Sequence, residues 1–259
     1  MKNSPLVSIV MPAYNAEYFI KESIGSVLSQ TYGNWELLII DDHSKDATLA
    51  VAEKFQKEDS RIKLIKLPAN QGAGFVRNVG IKASEGEFIS FLDADDLWKP
   101  HKLETQVKFM RDHQLSVSYS SYELMDEEGN LLNKMIQARK ELSFKKMLKA
   151  NYIGNLTGMY NAKKLGKIYC PPIRKRQDWA MWIKAVQKGG TAKGILEPLA
   201  TYRVRKDSIS GNKWEMLGYN YKIYREVLEY STFKSGIFFT QFLLEQFLIK
   251  PKQTVALKQ

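Results

Sequence analysis

Four short apolar runs, at residues 7–11, 36–40, 62–67 and 88–92, recur through the first hundred residues, and each gives way to a turn of polar residues, glycine or proline. Runs of this length, rich in valine, isoleucine and leucine, read as strands buried on both faces. Helical spacing fills the gaps. Ile20, Ile24, Val27 and Leu28 share a face within residues 17–30, and Ala47, Val51 and Phe55 share one within 46–57. Phe75, Val76 and Val79 follow the loop at 68–74. Ser44 is read as the N-cap of the second helix. Strands alternating with helices predict an α/β fold whose sheet is mostly parallel, with helices on both faces. Ligands in such sheets gather beyond the carboxyl ends of the strands. Pro12, Ala13 and Tyr14, the pair Asp41-Asp42, the segment 70–77 and the cluster at 93–96 all fall there.

The fourth run ends in three carboxylates within four positions, Asp93, Asp95 and Asp96, followed by Trp98 and Pro100. Adjacent carboxylates raise one another's pKa unless a cation or hydrogen-bond donors hold them ionised. Hard cations such as Mg²⁺ or Mn²⁺ take oxygen ligands, often one or two carboxylates plus the oxygens of a substrate phosphate. Two readings follow from this stretch alone: a metal-diphosphate site, or an acidic turn that caps the next helix.

Charge is divided unevenly. Residues 1–129 carry 14 Lys and Arg against 20 Asp and Glu, a net −6, while residues 130–259 carry 25 against 8, a net +17. A basic half favours an anionic partner, either a phosphate-bearing substrate or a membrane surface. No zinc-finger spacing, recognition-motif signature or Arg-Gly repeat accompanies it, so nucleic acid is not the expected partner. The single cysteine, Cys170, provides neither a disulfide framework nor a thiolate zinc site. His43, His101 and His113 are scattered without metal-ligand spacing. Residues 1–5 lack the long apolar region of a signal peptide, and a cytoplasmic location is expected.

The second half is less regular. The pattern predicts a helix over 101–113, a strand over 116–122, a turn at 126–130, a short basic helix over 142–150 and an extended segment over 151–160. A helix carrying Trp182, Ile183 and Val186 ends at Gly189-Gly190, and a strand pair follows around Pro198. Beyond residue 205 lies a helical extension, dense in aromatic residues over 213–230. Its apolar stretch at 237–249 is too short and too polar to span a bilayer. Lys234, Lys250 and Lys252 flank it, which suits either a helix lying on a membrane surface or one packed on the domain or on a second subunit, so a homo-oligomer stays open.

Six segments, at 7–15, 26–32, 36–44, 72–80, 86–98 and 176–179, together resemble the family 2 glycosyltransferases, the inverting GT-A class. The resemblance runs in order over about residues 6–205. The segments 173–178 and 202–205 are similar to those of bacterial teichuronic-acid, capsule and lipopolysaccharide-type transferases. It implies a GT-A domain over 1–205, with a nucleotide-sugar half at 1–98 and an acceptor half at 99–205, and a C-terminal helical extension at 206–259.

The resemblance also implies roles. Pro12, Ala13, Tyr14 and Asp42 would surround the nucleotide base, uracil if the donor is a UDP-sugar, and Arg77 would stand near the nucleotide or diphosphate. Asp93 and Asp95 would face the nucleotide sugar, Asp95 would also approach the metal, and Asp96 would be the firmest ligand of a Mn²⁺ or Mg²⁺ cofactor. Asp178 would be the general base that takes the acceptor's proton. Relatives often carry Glu-Asp where this chain has Gln177-Asp178. Arg174, Arg176 and Trp179 would serve the acceptor, although an aromatic on a helical stripe more often packs in a core. The implied reaction moves a sugar from a nucleotide diphosphate to a hydroxyl of a glycan, lipid-linked or free, in surface polysaccharide synthesis. Residues 213–252 would touch the inner face of the cell membrane. Two other classes compete. A sugar-nucleotide-forming nucleotidyltransferase needs a glycine-rich basic loop after the first strand, which residues 12–17 do not provide. A non-catalytic binding subunit predicts loss of Asp42, Asp95, Asp96 and Asp178, and all four are present.

Overall fold

A computed structural model of the chain describes residues 4–205 and 213–257. The start of the expected extension, at 206–212, lies outside the described residues. The first half runs β1 (Val7–Ala13), α1 (Ile20–Leu28), β2 (Trp35–Asp41), α2 (Thr48–Glu58), β3 (Ile62–Lys66), α3 (Ala73–Ala83) and β4 (Phe88–Phe91). These strands pair in parallel in the order β4-β1-β2-β3. The register sets Ala13 beside Asp41 and Asp41 beside Lys66, so the polar strand ends share one edge. Every residue of β2 and β4 is buried, as the unbroken apolar runs require. Helix α3 lies close against the sheet at Gly80, where a Cβ would come within 2.5 Å of Val10 Cγ1 and 2.8 Å of Ile40 Cδ1. A glycine is therefore required there by packing, although its backbone is helical.

The second half contains β5 (Leu97–Trp98), α4 (Lys102–Asp112), β6 (Val117–Met125), β7 (Leu131–Ile136), β8 (Glu141–Leu142), α5 (Phe144–Met147), β9 (Met159–Asn161), α6 (Ala162–Leu165), α7 (Gln177–Gly189) and β10 (Ala192–Arg203). Here the sheet is mixed rather than mostly parallel. Strand β9 enters antiparallel between β4 and β6, and β7 is antiparallel to β6, while β10 runs parallel to β6. The tight turn at 126–130 joins β6 to β7, and a connection that short permits only the antiparallel arrangement.

Four local expectations are corrected. Ser44 does not cap α2, whose N-cap is Ala47; its hydroxyl instead accepts the Asn15 N–H at 3.1 Å and ties the loop after β1 to the loop after β2. Residues 195–204 form no strand pair; 195–203 belong to the one long strand β10, with register shifts on both sides of Pro198. Proline lacks the donor a ladder needs, and a bulge accommodates it without breaking the strand. The segment 151–160 is interrupted by a 3₁₀ turn at Asn155–Thr157. The helix expected over 142–150 is confined to α5, capped by Ser143.

The extension comprises α8 (Lys213–Lys222), a π turn at Ile223–Val227, α9 (Thr232–Leu244), a second π turn at Glu245–Ile249, a 3₁₀ turn at Lys250–Gln253 and β11 (Thr254–Ala256). Strand β11 was not foreseen; it pairs antiparallel with β7 and becomes the edge of the sheet. Tyr224 and Phe242 belong to the same buried cluster as Trp179 and Trp182 of α7. Glu245 is buried and accepts from Lys146 Nζ and Tyr152 Oη, so a charged group fastens the second π turn to the domain. No helix among the described residues is long and apolar enough to cross a membrane.

Candidate active site

The strand-end loops hold one another by side chain to backbone hydrogen bonds. Asp42, buried at the end of β2, accepts from Gln71 N–H at 2.7 Å through Oδ1 and from Gly72 N–H at 2.9 Å through Oδ2. Its first duty is thus to order the loop before α3. Asn15 and His43 occupy the left-handed region with φ of 46° and 64°, backbone strain concentrated just beyond β1 and β2. Pro12 and Ala13 end β1 at this edge, and Tyr14 beside them is 50% exposed.

The three carboxylates after β4 have separate environments. Asp93 Oδ1 accepts from Arg77 at 2.7 Å, an ion pair in which the arginine side chain is buried. Arg77 is therefore not a surface salt-bridge residue. Asp95 Oδ2 meets Arg205 at 3.2 Å. Asp96 is only 1% exposed, and its Oδ1 accepts the Arg203 N–H at 3.0 Å. Burial and the charge of Asp93 raise the pKa of Asp95, with Arg205 opposing. Burial and the charges of Asp95 and Asp93 push Asp96 well above the usual carboxylate range. Such a cluster gains from a dication, which would relieve the repulsion. No group of three or more ligating side chains is gathered among the described residues. The donor set thus fits a cation held by two carboxylates and completed by substrate phosphate oxygens, and does not fit an all-protein cage.

Helix α7 brings the opposite wall. Gly74, at the start of α3, lies so near Gln177 that a Cβ there would come within 3.3 Å of Gln177 Cγ. Asp178 stands in the first turn of α7, where the helix dipole favours a negative charge. It is not the N-cap; that position belongs to Arg176, held at φ 64° and giving no side-chain cap. Asp178 Oδ2 accepts from Asn151 Nδ2 at 3.0 Å. Burial opposes the charge of Arg77, but Asp93, Cys170 and Asp178 together hold the guanidinium firmly protonated, so one arginine feels both carboxylate groups. Arg77 thus links the cluster after β4 electrostatically to the carboxylate on α7.

Trp179 is corrected. It is wholly buried, its indole N–H donates to Met147 O at 2.8 Å, and its ring packs against Tyr224 and Phe242. Trp182 is buried likewise, against Phe91 and Tyr160, so neither can form a wall for a sugar. Arg174 is exposed and Arg176 half-buried. Cys170 is buried, which pushes its thiol up to about 12.

Several residues of the site were not foreseen. Arg203, at the end of β10, donates to Asp95 O at 3.0 Å, Glu127 O at 2.9 Å and Glu22 Oε2 at 2.7 Å, and so braces the turn that presents the carboxylates. Asn151 and Arg205 are the others, together with Lys250. That lysine is brought by the C-terminal 3₁₀ turn into electrostatic reach of Arg176 and Asp178. The segment 202–205 was visible as a motif; Asn151 and Lys250 carried no local signal.

A Rossmann-like half-sheet, a carboxylate cluster at its edge and an opposed carboxylate on a helix define a sugar-transferring enzyme of the GT-A type. The family described as glycosyl transferase family 2 matches residues 8–168, and the chain belongs to it. It is 40% identical over 238 residues to TuaG of Bacillus subtilis (strain 168), assigned to teichuronic acid biosynthesis as a glycosyltransferase, covering 92% of this chain and 94% of that one. It is 38% identical over 223 residues to the Escherichia coli UDP-Glc:alpha-D-GlcNAc-diphosphoundecaprenol beta-1,3-glucosyltransferase WfgD, covering 82% and 85%. Among solved structures it shares the fold of S. aureus TarS 1-349 in complex with UDP-GlcNAc, with TM-score 0.72 and 21% identity over 93% of this chain and 73% of that one. It also shares the fold of the mannosyltransferase PcManGT from Pyrobaculum calidifontis in complex with GDP-Man and Mn2+, with TM-score 0.67 and 16% identity over 97% and 72%.

Proposed function

We propose that this glycosyltransferase moves a sugar, with inversion, from a UDP-sugar to a hydroxyl of a glycan carried on a lipid diphosphate, in bacterial surface polysaccharide assembly. The observation that carries the reading is Arg77, paired with Asp93 at 2.7 Å and within electrostatic reach of Asp178. The relatives support the substrate class, since one is named for UDP-Glc and a diphosphoundecaprenol acceptor. Residues 1–98 are the donor half and 99–205 the acceptor half, with 206–259 as the extension.

In this reading Tyr14 stacks on the base above Pro12 and Ala13, and Asp42 accepts the imide N–H with lone pairs its loop contacts leave available. Arg77 and Asp93 border the diphosphate and sugar. Asp95 and Asp96 hold a divalent cation, Mn²⁺ or Mg²⁺, which when bound stabilises the charge that develops on the diphosphate. Asp178 keeps Oδ2 on Asn151 and offers Oδ1 to the acceptor hydroxyl. As the proton passes to Oδ1, the hydroxyl oxygen bonds to the anomeric carbon, and the electron pair of the breaking bond leaves with UDP from the opposite face.

The test is thermal stabilisation by UDP and GDP with and without Mn²⁺. UDP with Mn²⁺ at about a hundred times its dissociation constant should stabilise the fold by roughly 2.7 kcal/mol, and UDP alone by less. No metal-dependent stabilisation by either nucleotide would sink the donor site.

The location proposed is peripheral, at the inner face of the membrane. Phe233, Ile237 and Leu244 of α9, with Phe247 and Leu248 of the π turn, are exposed, Phe247 by 65%. Burying Phe247 and Leu248 in a lipid interface contributes about 1.5–3 kcal/mol each. Phe247→Ser with Leu248→Ser should therefore release the protein from anionic vesicles in co-sedimentation, and unchanged pelleting would exclude this face as the contact.

A further inference from the structure

We propose that Asn151 determines acceptor specificity: while its Nδ2 holds the base, its Oδ1 accepts a hydrogen bond from a hydroxyl or amide N–H on the acceptor-sugar carbon next to the attacked one. The inference rests on the acceptor reading above and adds what the acceptor must carry. Asn151 Nδ2 donates to Asp178 Oδ2 at 3.0 Å. An ionised carboxylate only accepts, so the amide must turn its nitrogen toward Asp178, and Oδ1 is the end left over. That oxygen is buried and has no partner among the described residues. Gln177, the residue before Asp178, is 7% exposed, and its Oε1 is likewise buried without a partner.

The backbone on both sides of Asn151 is fixed. Ala150, Tyr152 and Ile153 are buried in the same cluster as Met147 and Trp179. The Trp179 indole N–H reaches Met147 O at 2.8 Å, and Tyr152 Oη donates to the buried Glu245. Residues 147–153 and α7 therefore pack as one unit, and the amide cannot swing out to water without giving up Asp178. Buried carbonyl oxygens are nearly always paired, because leaving one unmade forfeits the hydrogen bond it had in water. An oxygen held unpaired in a rigid setting, one hydrogen bond away from the proposed base, is a place prepared for a donor on a ligand.

Chemistry decides the occupant. Oδ1 accepts from a hydroxyl or an amide N–H, whereas an ether oxygen, a carbonyl or a deoxygenated carbon has nothing to offer it. Inversion places the base and the leaving diphosphate on opposite faces of the anomeric carbon, so a group beside Asp178 comes from the acceptor. Asn151 Oδ1 belongs to the amide bonded to that same carboxylate. With the attacked hydroxyl on Asp178 Oδ1, the group that reaches Asn151 is on a neighbouring ring carbon. Two contacts on adjacent carbons fix the rotation of the ring, and so select which hydroxyl attacks. An analogue lacking the neighbouring donor leaves Oδ1 unpaired at the moment of reaction, the situation in which polar sites discriminate most strongly.

The probes are diphospholipid-linked GlcNAc and its analogues stripped of the hydroxyl or acetamido group at each carbon next to the attacked one, that carbon being read from the product. The full chain is assayed with UDP-glucose or UDP-GlcNAc and Mn²⁺. In the wild type one analogue should lose roughly 10- to 100-fold in kcat/KM. Asn151→Leu, close to isosteric, should lower kcat with every acceptor, because the base loses its orienting donor, and should shrink the ratio between parent and that analogue to within about 3-fold. Asn151→Ala should do the same, and serves if the Leu variant fails to show metal-dependent stabilisation by UDP. Parent and analogues used equally well by the wild type would overturn the proposal, as would a ratio that persists in the variants. A wild type that is stabilised by UDP with Mn²⁺ and transfers to none of these acceptors overturns the acceptor reading and this inference with it, and spares the donor site.

Discussion

Asp178→Asn should lower turnover by about 10²–10⁴-fold, the range a positioned general base contributes, while metal-dependent UDP binding persists. The substitution is nearly isosteric, and the new amide oxygen can still accept from Asn151 Nδ2, the partner at 3.0 Å. What it removes is the carboxylate proposed to take the proton. Removing one negative charge near Arg77, Arg176 and Lys250 would tighten an anionic ligand rather than weaken it. The measurement pairs UDP release under saturating acceptor with UDP binding by calorimetry. Turnover within a few fold of wild type would remove Asp178 from the chemistry, whereas loss of UDP binding would place it in the donor site.

The second large effect is expected at Arg203. Its guanidinium, 3% exposed as a residue, joins the carbonyls of Asp95 and Glu127 and the carboxylate of Glu22, and lies 4.9 Å from the Phe19 ring centre. Arg203→Met keeps the volume and removes three hydrogen bonds together with a positive charge that acts on the buried Asp96. Glu22, its side chain 58% exposed, returns to water, but leaving two carbonyls without their donor and the buried Asp96 without an opposing charge costs about 3–5 kcal/mol, of a total stability of about 5–15 kcal/mol. The midpoint of thermal unfolding should fall by roughly 6–20 °C, at about 2–4 °C per kcal/mol for a chain of this size. Stabilisation by UDP with Mn²⁺ should vanish in the same variant, because the turn presenting Asp95 and Asp96 loses its brace. A variant with unchanged melting and intact metal-dependent stabilisation would show that Arg203 only decorates the turn.

The first hundred residues were legible because their information is local. Apolar runs at 7–11 and 36–40 cannot face water on either side, and the helical stripes between them call for the parallel pairing seen among β4, β1, β2 and β3, though not for their order. The second half depends on pairings between distant residues. Nothing near 159–161 announces that Met159 will lie beside Ser90 and Ser118, and nothing near residue 254 announces a strand partner at Ile136. The carboxylates were visible as a pattern and, through the family resemblance, as a candidate site. Their partners were hidden by distance: Asn151 is 27 residues from Asp178, and Arg205 is 110 from Asp95. Lys102 shows the same limit. A lysine in a polar helical stretch reads as solvated, yet it is wholly buried, donating to Ser90 Oγ at 3.1 Å and Gln106 Oε1 at 2.9 Å above the Trp98 ring. Burial drives its pKa well below the usual lysine value.

Strand β11 has a consequence for recombining enzymes of this kind. By pairing with β7 it ties residues 254–256 to 134–136, and Gln253 and Gln137 exchange hydrogen bonds at the junction. The last quarter of the chain and the segment after residue 100 therefore form one unit of exchange. A chimera meant to carry another enzyme's second half onto residues 1–98 of this chain should be joined near Pro100 and should bring its own C-terminus with it. A junction at the end of β10 would strand a foreign edge against β7.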